Sequence, residues 1–269
     1  MKQMINTPPA RTFRWLGVNG TAAELPQEAG NYTCSVPEGA EQTFVLQENS
    51  SLQKMTIEVG PHAVFRLIQI HRNTDDTERF SEIRVNCQES ARFEWYRIVL
   101  GGNCYDNCSV ALSGADSSFT AEIGYRLDGS DRLDVNCEAI HTGRRTRSTI
   151  HASGVMTGAS AKILRSTIDL QKGCKGAVGN EQEDVLLLDE TVENRSVPVI
   201  LCTEEDVEGN HGTTIGQLDE DLVFYLSTRG IPQEAIYDMM ARARIDAVIR
   251  RIPDPALQTA LLDEKEAAI

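Results

Sequence analysis

The chain alternates hydrophobic and polar residues over most of its length. From about residue 43 to residue 202, short runs rich in β-branched and aromatic side chains are separated by Gly, Ser, Asn or Asp. A period of two over such short runs is typical of β-strands with one buried face. The clearest runs span residues 55–59, 64–70, 92–100, 117–127, 148–156 and 161–170. The pattern therefore predicts an all-β body.

Two β architectures fit this pattern. A sandwich or barrel needs tight hairpins, and Asp128-Gly129 is the only clean hairpin signal between alternating runs. A β-solenoid instead repeats a corner, with a small residue ahead of each inward-facing run. Ala follows a turn residue and precedes a large apolar residue in the segments 61–65, 89–93, 114–119 and 158–163. Because their spacing is irregular, these corners favour the solenoid only modestly over the sandwich.

The hydrophobic period changes from two to that of a helix near residue 217. Residues 219–229 alternate acids and apolar residues at helical spacing, and Gly230 is a natural stop. A second helix with a broad apolar stripe is predicted over residues 232–252, and a third over 255–267 with Asp254 as its N-cap. The stripe either packs on the β body or docks a partner. We divide the chain into a flanking and capping segment (1–42), a β core (43–216) and a C-terminal helical domain (217–269).

Composition narrows the class of protein. At 269 residues, with 41% hydrophobic and 25% charged residues, the chain has the composition of a globular protein with a sizeable core. Its apolar runs are far shorter than the roughly 20 residues that cross a bilayer, and its first residues lack the apolar stretch of a secretory signal. Seven scattered cysteines without such a signal indicate reduced thiols. We therefore expect a cytoplasmic protein without membrane contact.

The charge and the missing motifs exclude further classes. The net charge of −14 argues against nucleic-acid binding, because phosphate contacts need clustered Lys and Arg, and the one basic cluster is confined to residues 144–147. The sequence contains no phosphate loop, dinucleotide fingerprint, nucleophile elbow or His-Glu-x-x-His motif. We therefore predict that the chain does not hydrolyse nucleotides itself.

Three segments contain metal-ligating residue types. Cys104 and Cys108 share a turn, but a structural zinc site needs two further ligands. The acidic stretch 184–193 is either a solvated strand edge or a cation site. His211 lies in a polar turn between Gly209 and Gly212, where it is either bonded to the backbone or a functional ligand. Paired carboxylates on parallel coils also occur in polysaccharide-cleaving β-helices, so a carbohydrate-active enzyme is the alternative function.

The C-terminal third resembles the SufB/SufD family of iron–sulfur cluster assembly proteins. The matching stretches are GNEQEDVLLLDE from Gly179 and VPVILCTEEDVEGNHGTTIGQLDEDLVFYLSTRGIPQEAI from Val197. The second contains HGTTIGQLDED, FYL and RGIP in order, a series far more specific than any short motif. The resemblance covers about residues 150–252 and is to a SufD-like member of minimal length.

The resemblance implies a fold and a role. It implies a right-handed parallel β-helix followed by a small helical domain that binds SufC, the ABC-type ATPase of this system. The chain would be a non-catalytic scaffold subunit that pairs through its β-helix, as a homodimer or with a SufB-like paralogue. It would hold an iron–sulfur cluster transiently, either alone or shared between subunits, with no cofactor permanently bound.

The resemblance also implies site residues. His211 matches the interface histidine of the SufD branch, while Gly209 stands where that branch has a cysteine. The upstream cysteine position of the SufB branch falls at about Glu183, and Cys174 and Cys202 are the nearest thiols. The residues expected to dock the ATPase are Phe224, Tyr225, Arg229, Ile231, Pro232, Ile236, Met239 and Met240.

Overall fold

The computed structural model describes residues 2–12, 14–27, 29–47, 51–72, 77–216 and 220–266. Its first two strands, β1 (Gln3–Ile5) and β2 (Thr21–Ala23), pair antiparallel, with a short 3-10 helix (Arg14–Leu16) between them. All other strand pairs in the described part of the chain are parallel.

Fourteen described strands form two parallel seven-stranded sheets. They are β3 (Gly30–Val36), β4 (Glu41–Gln47), β5 (Leu52–Val59), β6 (Val64–Arg72), β7 (Arg79–Cys87), β8 (Arg92–Leu100), β9 (Asn103–Leu112), β10 (Ser118–Leu127), β11 (Arg132–His141), β12 (Arg147–Met156), β13 (Ala161–Leu170), β14 (Val178–Leu187), β15 (Glu193–Cys202) and β16 (Glu208–Gly216). Strands with odd numbers from β3 form the odd sheet, and those with even numbers from β4 form the even sheet. Each successive pair of strands is therefore one rung of a β-solenoid.

The solenoid prediction is confirmed, and the hairpin architectures are excluded because these fourteen strands pair only in parallel. Asp128-Gly129, the one clean hairpin signal, lies in a corner between β10 and β11. The first rung begins at Gly30, so it includes residues that the sequence analysis assigned to the flanking segment.

One corner of the solenoid repeats a left-handed residue in successive rungs. His62, Ser90, Asp116 and Arg145 have φ values of 57°, 54°, 60° and 57°. The amide of each donates to a carbonyl one rung further on, at 2.8–2.9 Å. A fully buried alanine follows the first two, Ala63 and Ala91. The small residue lets the chain turn inward, which explains the Ala-containing corners in the sequence.

Inward-facing side chains stack in columns because neighbouring strands are parallel and in register. Phe65, Phe93 and Phe119 form one such column, with ring centroids 6.2 and 5.6 Å apart. Most of the interior is apolar. A buried ion pair between Arg97 and Asp106 crosses it from the even to the odd sheet.

The N-terminal segment covers the outer face of the odd sheet. Arg165 on β13 is fully buried there and donates from Nε to the Val18 carbonyl at 2.6 Å. Asn6 donates from Nδ2 to Asp134 Oδ1 on β11 at 2.7 Å. These bonds satisfy a buried guanidinium and a buried carboxylate with partners from the N-terminal segment.

Three helices follow the solenoid: α1 (Glu220–Ser227), α2 (Gln233–Ile249) and α3 (Pro255–Glu266). The predicted first-helix start at Asp219 lies outside the described residues. Asp254 caps α3 as predicted, because its Oδ1 accepts from the Leu257 amide at 2.9 Å. None of the described helices combines the length and apolar character that spanning a bilayer requires.

The apolar stripe of α2 packs on the even sheet. Ile245, Val248 and Ile249 are buried against β6 and β8. Gly124 on β10 makes room for this helix, since a Cβ there would lie 3.1 Å from Val248 Cβ. The sequence left two interpretations of the stripe, packing on the β body or docking of a partner. Its C-terminal half packs on the β body.

Candidate functional site

The C-terminal end of the solenoid is open. Within the described residues, β15 and β16 each pair with only one neighbouring strand, and we call these two strands the open rung. Most of β16 is exposed, including Ile215, which is 53% accessible. An unpaired parallel edge leaves backbone donors and acceptors free to bind another chain.

His211 lies on this open rung. It is exposed on β16, and its partner in register on β14 is Glu181. Glu181 is buried, and its Oε2 has no hydrogen-bond partner in the described structure. Burial and the neighbouring charge of Glu183 raise the pKa of Glu181 to about 7. Glu181 is not among the site residues predicted from the sequence, although it precedes His211 by 30 residues, close to the length of one rung.

Glu183 faces the solenoid interior one rung deeper than the open edge. It is fully buried and forms an ion pair with Lys162, while the Tyr125 hydroxyl donates to its Oε1 at 3.4 Å. Burial lowers the pKa of Lys162, and the charge of Glu183 opposes that shift. The residue that pairs in register with Glu183 on β16 is Thr213 rather than His211. Glu183 is therefore near His211 but held by an internal cation.

The two candidate cysteines lie at a corner of the last two rungs. Cys174 is buried in the turn after β13, and burial raises the pKa of its thiol. Cys202 ends β15, is exposed, and its Sγ donates to the Glu204 carbonyl at 3.1 Å. Its partner in register is Leu170, so neither thiol lies in the column of His211 and Glu181.

The other cysteine cluster is part of the core. Cys104 and Cys108 are both buried in the apolar interior. Cys108 on β9 lies beside Cys137, its partner in register on β11. Burial raises the pKa of the Cys108 thiol well above the ordinary thiol value. In the described part of the chain, no group of three or more His, Cys, Asp or Glu residues is arranged to hold a metal ion.

These donors fit an iron–sulfur cluster only in part. His211 and Glu181 offer one imidazole nitrogen and one carboxylate oxygen, both plausible iron ligands, but thiolates are the usual cluster ligands. The one exposed thiol among the described cysteines is Cys202, at the corner of the open rung between β15 and β16. The geometry therefore supplies an incomplete ligand set that faces an open edge.

The predicted docking residues divide by exposure. Phe224, Tyr225 and Met239 are 69%, 51% and 51% accessible, and Arg229 lies over the Tyr225 ring at 4.6 Å. Pro232 is also exposed and lines a cleft of about 1030 Å³ between α2 and the even sheet.

Three of the predicted docking residues are less available. Ile236 is fully buried, so its assignment to an accessible docking surface is corrected. Met240 packs beside Ala241 against the even sheet, and Ile231 is half-buried. Helical periodicity marks an apolar stripe, but it does not tell which part of the stripe the solenoid covers.

Comparison with known proteins identifies the family. Residues 26–244 match the family described as "SUF system FeS cluster assembly, SufBD core domain". An iron–sulfur cluster assembly SufBD family protein of Mycobacterium bovis is 22% identical over 214 residues, covering 78% of this chain and 25% of the relative. One from Staphylococcus epidermidis is 25% identical over 227 residues, covering 80% of this chain and 48% of the relative. The chain thus spans a quarter to a half of these relatives, and it belongs to the SufBD family of iron–sulfur cluster assembly proteins.

Proposed function

We propose that this chain is a non-catalytic scaffold subunit of a SUF-type iron–sulfur cluster assembly complex in the cytoplasm. The observation that carries the proposal is the open rung, where His211 lies exposed beside Glu181 on an edge with a single neighbour. Membership of the SufBD family supports the pathway. The cluster is cargo, held transiently and passed on.

A second subunit completes the open rung. The free edges of β15 and β16 and the exposed Ile215 form a surface that pairing of two β-helices would cover. The partner is a second copy of this chain or a SufB-like paralogue. A SufB-like paralogue would supply thiolates that this chain does not place in the column of His211 and Glu181, whereas a second copy would bring its exposed Cys202.

The candidate ligands differ in exposure and in whether another group already holds them. His211 and Glu181 are the first ligands, because one is exposed and the other has an oxygen without a partner. Cys202 is next, because its thiol is exposed at the end of the same rung. Glu183 and Cys174 require a rearrangement, since Lys162 holds the first and burial protects the second.

The β-helix carbohydrate-active enzyme is not favoured. Its paired carboxylates would have to face an open groove that holds a sugar chain. Glu181 and Glu183 instead face the closed interior of the solenoid and are buried. The family match also points to cluster assembly.

The cluster role is tested by anaerobic reconstitution of wild type and of His211→Ala, each alone and mixed with a SufB-like paralogue. Loss of one first ligand from an incomplete set is expected to lower the bound iron and sulfide by roughly tenfold or more. Glu208→Gln, an exposed change on the same strand, is the matched control and retains wild-type cluster content. Equal cluster content in His211→Ala and wild type would remove His211 from the ligand set.

The SufC-type ATPase docks on the exposed side chains of α1 and α2. Phe224, Tyr225 and Met239 form an apolar patch with Arg229 at its edge. Large aromatic and Met side chains are enriched at the centres of protein interfaces.

We expect Phe224→Glu to weaken co-purification with a SufC-type ATPase by roughly tenfold or more, because burying a charge in an apolar interface is costly. Ala243→Glu, also exposed but outside the patch, introduces the same charge on α2 and serves as the control. If Phe224→Glu and Ala243→Glu co-purify equally well with the ATPase, the docking surface lies elsewhere.

A further inference from the structure

A second cluster of ionisable side chains lies on the outer face of the even sheet. Glu122 on β10, His151 on β12 and Asp184 on β14 come from three adjacent strands. Arg251, just beyond α2, reaches them from the helical domain. A hollow of about 550 Å³ opens beside them, with Gln182 among its lining residues.

The two ring nitrogens of His151 have different surroundings. Nδ1 lies 2.8 Å from Glu122 Oε2 and 2.7 Å from Arg251 Nη1. Nε2 lies 3.4 Å from Asp184 Oδ2. Arg251 Nη1 is also 2.6 Å from Glu122 Oε2. A neutral Nδ1 either donates to Glu122 or accepts from Arg251, but it does not do both.

These two choices give the site two states. When Nδ1 accepts from Arg251, the Nε2 hydrogen points at Asp184 and satisfies that carboxylate. When Nδ1 donates to Glu122, the Nε2 lone pair faces the Asp184 oxygen with no hydrogen between them. Two acceptor atoms 3.4 Å apart at the edge of the hollow are an arrangement that a cation stabilises.

We propose that His151 Nε2 and the Asp184 carboxylate bind a divalent first-row transition-metal ion of the Fe²⁺ class, and that Arg251 gates this site. Imidazole with carboxylate suits such ions, and Glu122 becomes the carboxylate that orients a metal-bound histidine. Gln182 Nε2 lies 3.2 Å from Asp184 Oδ2, so a turn of its amide brings the oxygen to the same ion.

The site is open and its ion is exchangeable. One imidazole, one carboxylate and one amide leave the remaining coordination positions of the ion to water. Gln182 is exposed on β14 between Glu181 and Glu183, and the side chains of these two glutamates face inward. An ion held outside is therefore separated from the inner carboxylates by the thickness of one strand.

Arg251 links the gate to the helical domain. It follows α2 directly and precedes α3. A displacement of these helices withdraws the guanidinium from Glu122, which then accepts from Nδ1 and leaves Nε2 available. The site rests on the proposed function only for the identity of its ion as iron. Its ligand atoms belong to His151, Asp184 and Gln182, and His211 of the open rung lines the same hollow.

Anaerobic titration with Co²⁺, followed by its visible absorption, tests the site on the full chain. We expect His151→Gln and Asp184→Asn each to weaken Co²⁺ binding by roughly tenfold or more, and Arg251→Gln to strengthen it by roughly tenfold. Glu208→Gln, an exposed change on β16 that does not line the hollow, should bind the ion as wild type does. Circular dichroism melts of every variant show whether it is folded.

Broadening of backbone amide signals by Mn²⁺ locates the ion independently. Broadening of residues 149–153 and 182–186 that is lost in His151→Gln supports the site. No binding to either wild type or Arg251→Gln, or binding unchanged by both ligand substitutions, overturns it. Binding lost only in His211→Ala assigns the ion to the open rung instead and also overturns this proposal. If the variants bind Co²⁺ and Mn²⁺ as expected but cluster reconstitution fails, the scaffold role is contradicted and the metal site proposed here is not.

Discussion

The middle of the solenoid and its open end hold buried charge in different ways. In the middle, Arg97 Nε lies 2.8 Å from Asp106 Oδ2, and both side chains are inaccessible to solvent. At the end, Lys162 pairs with Glu183, and a second carboxylate, Glu181, stands beside them with one oxygen unsatisfied. The two regions differ in charge count: the middle has one carboxylate for one cation, whereas the end has two carboxylates for one cation. A surplus buried acceptor at an open edge is suited to a cation or to donors from a second chain.

The histidines of the two regions differ in the same way. His141, at the end of β11, is fully buried, with Nδ1 2.7 Å from Thr146 Oγ1 and Nε2 2.8 Å from Ser148 Oγ. Burial lowers its pKa to about 4, so it is neutral and structural. His211 is exposed on the edge strand. The same residue type is therefore sealed by hydroxyl groups in one place and exposed on an edge strand in the other.

The largest difference is expected when each buried pair loses its acid. Asp106→Asn leaves Arg97 buried without a counter-charge and should lower the free energy of unfolding by about 3–5 kcal/mol. Glu183→Gln should cost only about 1–2 kcal/mol, because Glu181 also interacts with Lys162 and remains as a counter-charge. Urea unfolding followed by circular dichroism measures both values.

Asp128→Asn is the matched control for this pair of variants. Asp128 forms an exposed ion pair with Arg126, so its loss should cost less than about 1 kcal/mol. Equal destabilisation by Asp106→Asn and Glu183→Gln would show that Glu181 does not compensate Lys162, and the contrast between the two regions would fail.

The next largest effect concerns His141 and pH. Its folded pKa of about 4 lies below the ordinary value of 6.5, so the unfolded chain binds a proton first as pH falls. The contribution of His141 to stability is therefore fully present above pH 6.5 and is lost progressively down to about pH 4, by at most about 3 kcal/mol.

Comparing wild type with His141→Gln over this range isolates that contribution. The stability difference between the two proteins should shift in favour of the variant as pH falls from 7 to 4. A pH-independent difference for His141 would contradict the assignment of a neutral, sealed imidazole.

The sequence predicted the architecture better than the register of its strands. Alternation and Ala-containing corners indicate inward-facing runs, and residues such as Ala63 and Ala91 do sit at the turns. The rungs differ in length at their corners, so the pairing of Glu181 with His211 or of Glu122 with His151 is not visible as a repeat. Contacts between residues about 30 positions apart follow only when each corner is placed.

The helical domain shows the same limit. The apolar stripe over α2 is correct as a pattern, yet Ile236 is buried while Met239 is exposed. The helix is fixed in place by Gly124 on a distant strand, where the missing side chain admits Val248. Exposure of a particular residue on α2 therefore depends on the sheet beneath it rather than on its own sequence.

The smallest effect on the fold, and the clearest on assembly, is expected at the open rung itself. Ile215→Asp places a charge on an exposed edge residue, so the isolated chain should change in stability by less than about 0.5 kcal/mol. Association of the chain with itself or with a SufB-like paralogue should weaken by roughly tenfold or more, because the charge would be buried between the two subunits. Sedimentation velocity over a concentration series measures this association.

Thr214→Asp introduces the same charge on the other face of β16 and controls for net charge. If pairing occurs through the open rung with inward residues at its centre, Ile215→Asp should weaken association more than Thr214→Asp does. Equal association of wild type and both variants would place the subunit contact away from this rung. The open end would then differ from the sealed middle only in exposure, because its spare carboxylate would have no second chain to meet.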